Sequence, residues 1–223
     1  FDQFNSNTSN LDNTESKFQI SFKIPVIRNM FDGRAHLWVG YTQLAFWQVY
    51  NSKNSSPFRE TNYEPEIMLD IEQNTKIFGL TLTHIVPAFN HQSNGRSDPI
   101  SRSWNRIMTN FVFERGNFVL SLKPWYRIPE SKKDDNNRDI DEYLGYGDYI
   151  AAYKHGGQVY SMLLRNNFRS NNNRTSVELD WSIPVTQRMK LYVQYINGYG
   201  DGLINYNYRE HTIGVGVALT DWM

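Results

Sequence analysis

The chain has 223 residues, enough for one sizeable domain, and its 23 Lys and Arg residues balance 23 Asp and Glu residues. This balance leaves no overall positive field that would favour nucleic acid as a partner. The absence of cysteine excludes disulfide bonds, thiolate zinc sites and thiol catalysis.

The composition is typical of a membrane β-barrel. No run approaches the roughly 18 consecutive apolar residues that a transmembrane helix needs. Aromatic residues nevertheless make up 15% of a chain whose mean hydropathy is polar, at −0.61. A polar lumen, an apolar outer band and aromatic girdles together give this mixture. Since the chain begins at Phe1 without a Met or a signal peptide, we expect a processed or truncated form.

Two-residue alternation of apolar and polar side chains runs along the chain and predicts half-buried strands rather than helices. Residues 17–24 show it clearly, because Ile20 and Phe22 share one face while Lys17 and Gln19 share the other. In chain order we count eleven strands, at 17–24, 35–50, 62–73, 76–91, 102–115, 117–128, 140–153, 158–169, 175–184, 189–206 and 210–222.

Strand length and loop length favour a transmembrane barrel over a soluble one. Several predicted strands exceed the roughly five to six residues of a globular strand. Long polar loops alternate with short turns, as in outer-membrane barrels, and the turns lie at 72–75, 115–117, 155–157 and 184–187. The connection at 25–34 is an exception, because it falls on the short-turn side yet is fairly long.

The predicted architecture is therefore all-β, a single transmembrane antiparallel barrel of about 12 strands over residues 1–223. Bacterial barrels have even strand numbers, so a twelfth strand should lie at or before residues 1–5, and we expect this chain to contain only part of it. The Ser- and Asn-rich stretch 6–16 would then be an external loop.

Segment 89–105 concentrates the side chains with usable chemistry. His91 and Ser93 are two residues apart near a strand end, so both leave the same face, with Cα atoms about 6.5–7 Å apart. A hairpin symmetric about Pro99 would place Asn105 across from His91. Nucleophile, base and orienting amide would then form a triad. The pattern alone fits a loop without catalysis at least as well, and the GxSxG elbow is absent.

These three residues continue apolar faces that should look outward into lipid. His91 and Ser93 share parity with Phe89, and Asn105 shares parity with Ile107. Upstream apolar residues have the opposite parity, which requires a β-bulge near residues 83–84. A polar trio on a lipid-facing wall is costly unless it has a function, and a lipid substrate would supply one.

Other polar groups have simpler interpretations. The acidic run 134–142 lacks the EF-hand glycine and is predicted to be a solvated external loop. The other histidines show no zinc spacing. An acidic row is expected to face Lys and Arg across the lumen, and it comprises Glu64, Glu66, Asp70 and Glu72.

The segment His91 to Arg106, together with Ser55 to Pro65, Lys123 to Tyr126 and Gly214 to Val217, resembles the outer-membrane phospholipase A family. The resemblance covers nearly the whole chain from Lys17. It implies a twelve-stranded barrel in the bacterial outer membrane that hydrolyses acyl esters of phospholipids and lysophospholipids, with its active site toward the outer leaflet.

The resemblance also implies a role for each site residue. Ser93 would be the nucleophile, His91 the base and Asn105 its orienter, while the Gly95 amide would donate to the oxyanion. The family's Ca²⁺ would bind the Arg96 carbonyl and Ser101, with Ser55 from a second subunit, and waters would complete its shell of about 6–8 oxygens.

The family is active as a homodimer, which implies an interface formed by Gln43 and the apolar residues Ile20, Phe22 and Leu219. Taken alone, Gln43 fits a position near the aqueous boundary equally well. Two departures from the family pattern stand out: the chain ends in Trp222-Met223 rather than phenylalanine, and Gln92 replaces a more usual acidic residue.

Two other functions remain open on the residues alone. A passive outer-membrane channel or adhesin barrel would lack catalysis, and a channel would conduct ions. A soluble lipocalin-like binder would not need detergent, but the strand lengths and the loop alternation argue against it. The sequence gives no head-group or acyl-position preference.

Overall fold

A computed structural model describes residues 11–131 and 133–219, and its strands form one antiparallel sheet in chain order. The eleven strands are β1 (Ser16–Met30), β2 (Ala35–Trp47), β3 (Phe58–Ile77), β4 (Leu80–Ser93), β5 (Ser103–Arg115), β6 (Phe118–Ile128), β7 (Gly147–His155), β8 (Gln158–Asn166), β9 (Thr175–Pro184), β10 (Lys190–Gly198) and β11 (Glu210–Ala218). A short helix, α1 (Ile140–Leu144), precedes β7, and a 3₁₀ turn (Ser52–Asn54) precedes β3. No helix within the described ranges is both long and apolar enough to cross a membrane.

The two faces of the sheet have opposite polarity, and the apolar face is the exposed one. Ile67 and Ile107 are 52% and 54% exposed, whereas Glu60, Asn90 and Arg106 are at most 4% exposed. A water-soluble sandwich would bury the isoleucines and expose the charges. The observed arrangement is that of a barrel that shows its apolar face to lipid.

Arg106, a buried charge on the inner face, is paired with a carboxylate and an amide. Arg106 donates from Nη2 to Glu64 Oε1 at 2.7 Å and from Nε to Asn90 Oδ1 at 2.9 Å. Its guanidinium also lies 4.1 Å from the ring centroid of Trp104. The acidic side chains were expected to pair with Lys and Arg inside the barrel, and Glu64 does so. Asp70 instead contacts His84, with 2.7 Å between Oδ1 and Nδ1.

Substituting Arg106 with methionine is expected to lower the free energy of unfolding by about 1–3 kcal/mol, because half-buried Glu64 would lose its ion pair and the buried Asn90 Oδ1 would lose its donors. Urea unfolding in detergent micelles, followed by tryptophan fluorescence, measures this loss. Arg115→Met is the matched control, since Arg115 is exposed at the other end of β5. Equal unfolding midpoints for the two variants would contradict a stabilising role for the pairing.

Two segments between strands, 133–146 and 199–209, fill one end of the inner face. They contribute to a buried cluster that comprises Trp104, Met108, Trp125, Ile140, Leu144, Leu203 and Tyr206. The Ile204 amide donates to Glu60 Oε1 at 2.7 Å, which joins the segment after β10 to β3. Lys17 Nζ on β1 donates to Gln194 Oε1 on β10 at 3.0 Å. The sheet therefore curls until its two ends approach, and its interior is plugged at this end.

Tertiary packing of these segments explains the boundaries that were predicted wrongly. The strand predicted at 140–153 begins only at Gly147, because Ile140 and Leu144 are buried as part of α1. The strand predicted at 189–206 ends at Gly198. The acidic run is not simply a solvated loop: Asn137 is 1% exposed and its Oδ1 accepts from the Ser103 amide at 3.2 Å.

At the opposite end of the sheet the turns are short throughout. The turn predicted at 72–75 is wrong, since β3 continues to Ile77 through a register shift and turns at Phe78 and Gly79. Strand β1 extends to Met30, so the long connection predicted at 25–34 is a turn at 31–34. The alternation of short turns and long loops therefore has no exception here.

The bulge required near residues 83–84 is present as a register shift between Leu82 and His84. Thr83 is the extra residue, and it reverses the parity of every later residue in β4. The predicted twelfth strand at or before residues 1–5 and residues 6–10 of the predicted external loop lie outside the described residues.

Candidate active site

The β4–β5 hairpin places Asn105 directly across from His91, and Ser93 across from Ser103. His91 Nδ1 and Asn105 Oδ1 are 2.9 Å apart. An amide oxygen can only accept a hydrogen bond, so Nδ1 is the protonated ring nitrogen and donates to it. The other ring nitrogen, Nε2, is left with a lone pair that can take up a proton.

These side chains lie on the outer face of the sheet. Phe89 and Ile107, their apolar neighbours on that face, are 45% and 54% exposed. The alternate residues point inward, where the Trp104 indole donates to Gln92 Oε1 at 2.8 Å. The side chain of Gln92 therefore has an inward structural contact, on the face opposite to the His91 side chain.

Ser93 ends strand β4 two residues after His91 and has the same parity, so both side chains leave the outer face. Across the sheet it pairs with Tyr63 of β3 and Ser103 of β5. No hydrogen bond involves the Ser93 hydroxyl within residues 11–131 and 133–219. The hydroxyl proton is thus not donated to another group there. No hydrogen bond joins Ser93 to His91 in this conformation either.

Glu130 is a site residue that the sequence reasoning missed. Asn105 Nδ2 donates to Glu130 Oε1 at 3.0 Å, so the amide is held from both ends. The register offers a signal that could have found it: Asn105 pairs with Ile128, the last residue of β6, and Glu130 follows two residues later.

The loop 94–102, between β4 and β5, is held by Asn94, which the sequence reasoning also missed. This side chain is only 3% exposed, and its Oδ1 accepts from the amides of Arg96 and Arg102 at 3.2 and 3.0 Å. Its Nδ2 donates to the Ile100 carbonyl at 2.8 Å. One buried amide therefore fixes both ends of the loop.

Gly95 occupies a position that only glycine suits. Its φ is +60°, and a Cβ there would lie 2.9 Å from the Tyr63 ring. Its backbone N–H has no hydrogen-bond acceptor among the residues that the structure describes. A free N–H beside Ser93 is what an oxyanion-hole donor requires.

Two oxygens of the same loop are free to bind a hard cation. Neither the Arg96 carbonyl nor the Ser101 hydroxyl makes a hydrogen bond within the described ranges, and carbonyl and hydroxyl oxygens are ligands that calcium prefers. No group of three His, Cys, Asp or Glu side chains suited to a metal occurs in that part of the chain. The loop is thus compatible with a calcium site, but a single chain supplies few of its ligands.

Ser55, the third ligand implied by the resemblance, makes no described hydrogen bond to Arg96 or Ser101 within residues 11–131 and 133–219. It is exposed at the end of the 3₁₀ turn, with a left-handed φ of 59°. The Arg96 guanidinium does reach this region, donating from Nη2 to the Phe58 carbonyl at 3.1 Å. The two loops therefore lie at the same rim.

The residues expected at a dimer interface are exposed on the outer face. Ile20 and Phe22 are 56% and 54% exposed, and Ile20 pairs directly with Gln43. The Tyr41 hydroxyl donates to Gln43 Oε1 at 3.2 Å, so this amide already has one partner in its own chain. Leu219, just after β11, is 76% exposed.

Comparisons with known proteins point to one group of enzymes. The phospholipase A1 family matches residues 1–219. The phospholipase A1 of Salmonella typhimurium is 42% identical over 207 residues, which are 93% of this chain and 70% of that protein. The outer membrane phospholipase A of Escherichia coli superposes with a TM-score of 0.89 at 41% identity, covering 94% of this chain and 85% of that one. A Salmonella typhi outer membrane phospholipase dimer with bound calcium superposes with a TM-score of 0.91 at 41% identity, covering 96% and 82%.

Proposed function

Because this chain belongs to the phospholipase A1 family of bacterial outer-membrane β-barrels, we propose that it hydrolyses the acyl esters of phospholipids and lysophospholipids with a Ser93–His91–Asn105 triad. The membership confirms the transmembrane barrel and the outer-membrane location predicted from the strand pattern. The observation that carries the proposal is the 2.9 Å contact between His91 Nδ1 and Asn105 Oδ1, on the lipid-facing wall beside an uncommitted serine.

The triad would act in two steps. Ser93 Oγ attacks the ester carbonyl carbon while His91 Nε2 takes its proton, and Asn105 Oδ1 stabilises the charged ring that forms. The bond from the carbonyl carbon to the glycerol oxygen then breaks, and His91 returns the proton to the departing lysophospholipid. Water, activated by the same imidazole, releases the fatty acid and restores Ser93.

The loop 94–102 supplies the electrostatic part of the site. The free Gly95 N–H would donate to the oxyanion, which develops on the ester carbonyl oxygen beside Ser93. The Arg96 carbonyl and the Ser101 hydroxyl would hold Ca²⁺, with Ser55 of the partner subunit completing the protein ligands. When bound, Ca²⁺ would polarise the ester carbonyl and stabilise the negative charge.

The active form would be a homodimer, paired through the outer face of β1 and β2. Gln43 lies among apolar side chains there, and an amide in lipid that bonds across a two-fold axis contributes about 0.6 kcal/mol, at most ~2. Ile20, Phe22 and Leu219 would pack around it. With Ser55 supplied by the partner subunit, pairing would complete two calcium sites, one at each active site. A relative that forms a dimer with bound calcium supports this arrangement.

The alternative, a passive channel or adhesin barrel, has less support. The segments 133–146 and 199–209 fill the lumen at the loop end with a buried apolar cluster. A plugged lumen disfavours ion conduction. An adhesin would have no use for a polar trio beneath its rim on the lipid-facing wall.

Two histidines on β4 give a matched test of the proposal. His91→Ala is expected to reduce fatty-acid release from phospholipid micelles by at least about 10³-fold, because the nucleophile loses its base. His84→Ala changes the same residue type on the opposite face, where the imidazole contacts Asp70, and should keep most of the activity. Hydrolysis that survives His91→Ala undiminished would refute the triad.

A further inference from the structure

We infer that Glu130 is a positioning residue, which fixes the orientation of the Asn105 amide and thereby the tautomer of His91. The inference rests on the proposed function, because it concerns the base of the same triad. It goes beyond that function by giving a role to a carboxylate outside the triad.

The geometry is a chain of three side chains. His91 Nδ1 is 2.9 Å from Asn105 Oδ1, and Asn105 Nδ2 is 3.0 Å from Glu130 Oε1. An asparagine amide has nearly the same shape when rotated by 180°, with its oxygen and nitrogen exchanged. The contact with a histidine does not prevent that exchange, because either ring nitrogen of a neutral imidazole can donate or accept.

An ionised carboxylate removes the ambiguity, since it can only accept hydrogen bonds. Glu130 must therefore face the NH₂ end of Asn105, which leaves Oδ1 for His91. His91 Nδ1 then carries the proton and Nε2 keeps its lone pair for the Ser93 proton. In the exchanged orientation, Asn105 would donate to Nδ1, the ring proton would move to Nε2, and His91 could not act as the base.

The fold explains why a carboxylate is available at this point. Ile128, the last residue of β6, pairs with Asn105, and the chain then leaves the sheet. Two residues further, Glu130 lies at the same rim, half-buried beside the hairpin. In a Ser-His-Asp triad the negative charge contacts the histidine directly. Here the residue that contacts the histidine is the neutral Asn105, and the negative charge, on Glu130, lies one side chain further out.

Kinetics of four variants test the inference. Glu130→Ala is expected to lower kcat roughly tenfold, as a misoriented base would, with KM changed less than about twofold. Glu130→Gln should fall between it and the native protein, because its amide oxygen can accept but its nitrogen can also donate. Glu114→Ala, which removes an exposed carboxylate at the other end of β5, is the matched control and should not change kcat. In an Asn105→Ala background, Glu130→Ala should have no further effect.

A spectroscopic signature separates orientation from general loss of structure. The ¹⁵N chemical shifts of the His91 ring should report a proton on Nδ1 in the native protein and a population with the proton on Nε2 in Glu130→Ala. An unchanged ring tautomer, or a kcat equal to that of Glu114→Ala, would overturn the inference while leaving the triad intact. An equal further loss of kcat in the Asn105→Ala background would overturn it as well. Undiminished hydrolysis by Ser93→Ala would instead refute the proposed function.

Discussion

Replacing Ser93 by alanine is expected to reduce phospholipid hydrolysis by at least about 10⁴-fold, because the reaction loses the atom that attacks the ester. The barrel should keep its stability. The Ser93 hydroxyl makes no hydrogen bond within the part of the chain that the structure describes, so its removal leaves no partner unsatisfied.

Release of fatty acid from phospholipid and detergent micelles in excess Ca²⁺ measures the first effect, and heat-modified mobility on gels measures the second. Ser103→Ala is the control, since Ser103 lies directly across from Ser93 on the same face. We expect it to retain most of the activity. A Ser93→Ala protein that turns over substrate like the Ser103→Ala protein would remove Ser93 from the mechanism.

Removing calcium should have the second largest effect, a loss of hydrolysis of at least about 10²-fold that added Ca²⁺ reverses. The proposed ligands in one chain, the Arg96 carbonyl and the Ser101 hydroxyl, are weak on their own, so the proposed site would depend on waters and on Ser55 of the partner subunit. Mg²⁺ should not substitute, because it demands a smaller octahedral shell and keeps its waters.

Titration of activity with Ca²⁺ after treatment with a chelator tests this expectation. Ser101→Ala should raise the Ca²⁺ concentration for half-maximal activity about tenfold, whereas Ser97→Ala, in the same loop, should not. Because the native chain has no cysteine, Gln43→Cys offers a single cross-linking site, and cross-linking should increase with Ca²⁺. Full activity in excess chelator would exclude the metal from the mechanism.

The strand pattern could be predicted from the sequence because alternate side chains of a barrel strand face lipid and lumen, and the two environments require apolar and polar residues. Ile20 and Phe22 alternate with Lys17 and Gln19 for that reason. The pairing of strands in chain order follows from the short turns between them. The ends of strands could not be read in the same way. Ile140 and Leu144 look like strand residues but are buried in α1, and residues 199–209 leave the sheet to contact Glu60. Contacts distant in sequence override local pattern there.

The site divides similarly. The contact between His91 and Asn105, and the face that Ser93 shares with His91, could be predicted from spacing, because strand parity and hairpin register are regular. The bulge at Thr83 was needed to reconcile their face with the apolar residues upstream, and the structure has it. The β5–β6 register could have pointed to Glu130, but its contact with Asn105, like the contacts of Asn94, depends on how irregular segments fold back. The proposed calcium ligands are backbone and hydroxyl oxygens, which leave no recognisable spacing.

The central claim is that a serine on the lipid-facing wall is activated by the histidine next to it. Reaction with a long-chain alkylsulfonyl fluoride in detergent and Ca²⁺, followed by mass spectrometry of the peptides, tests it most directly. We predict one modified residue, Ser93, with modification lost in His91→Ala and retained in His84→Ala. Modification of another serine, or equal modification of Ser93 when His91 is absent, would contradict the account.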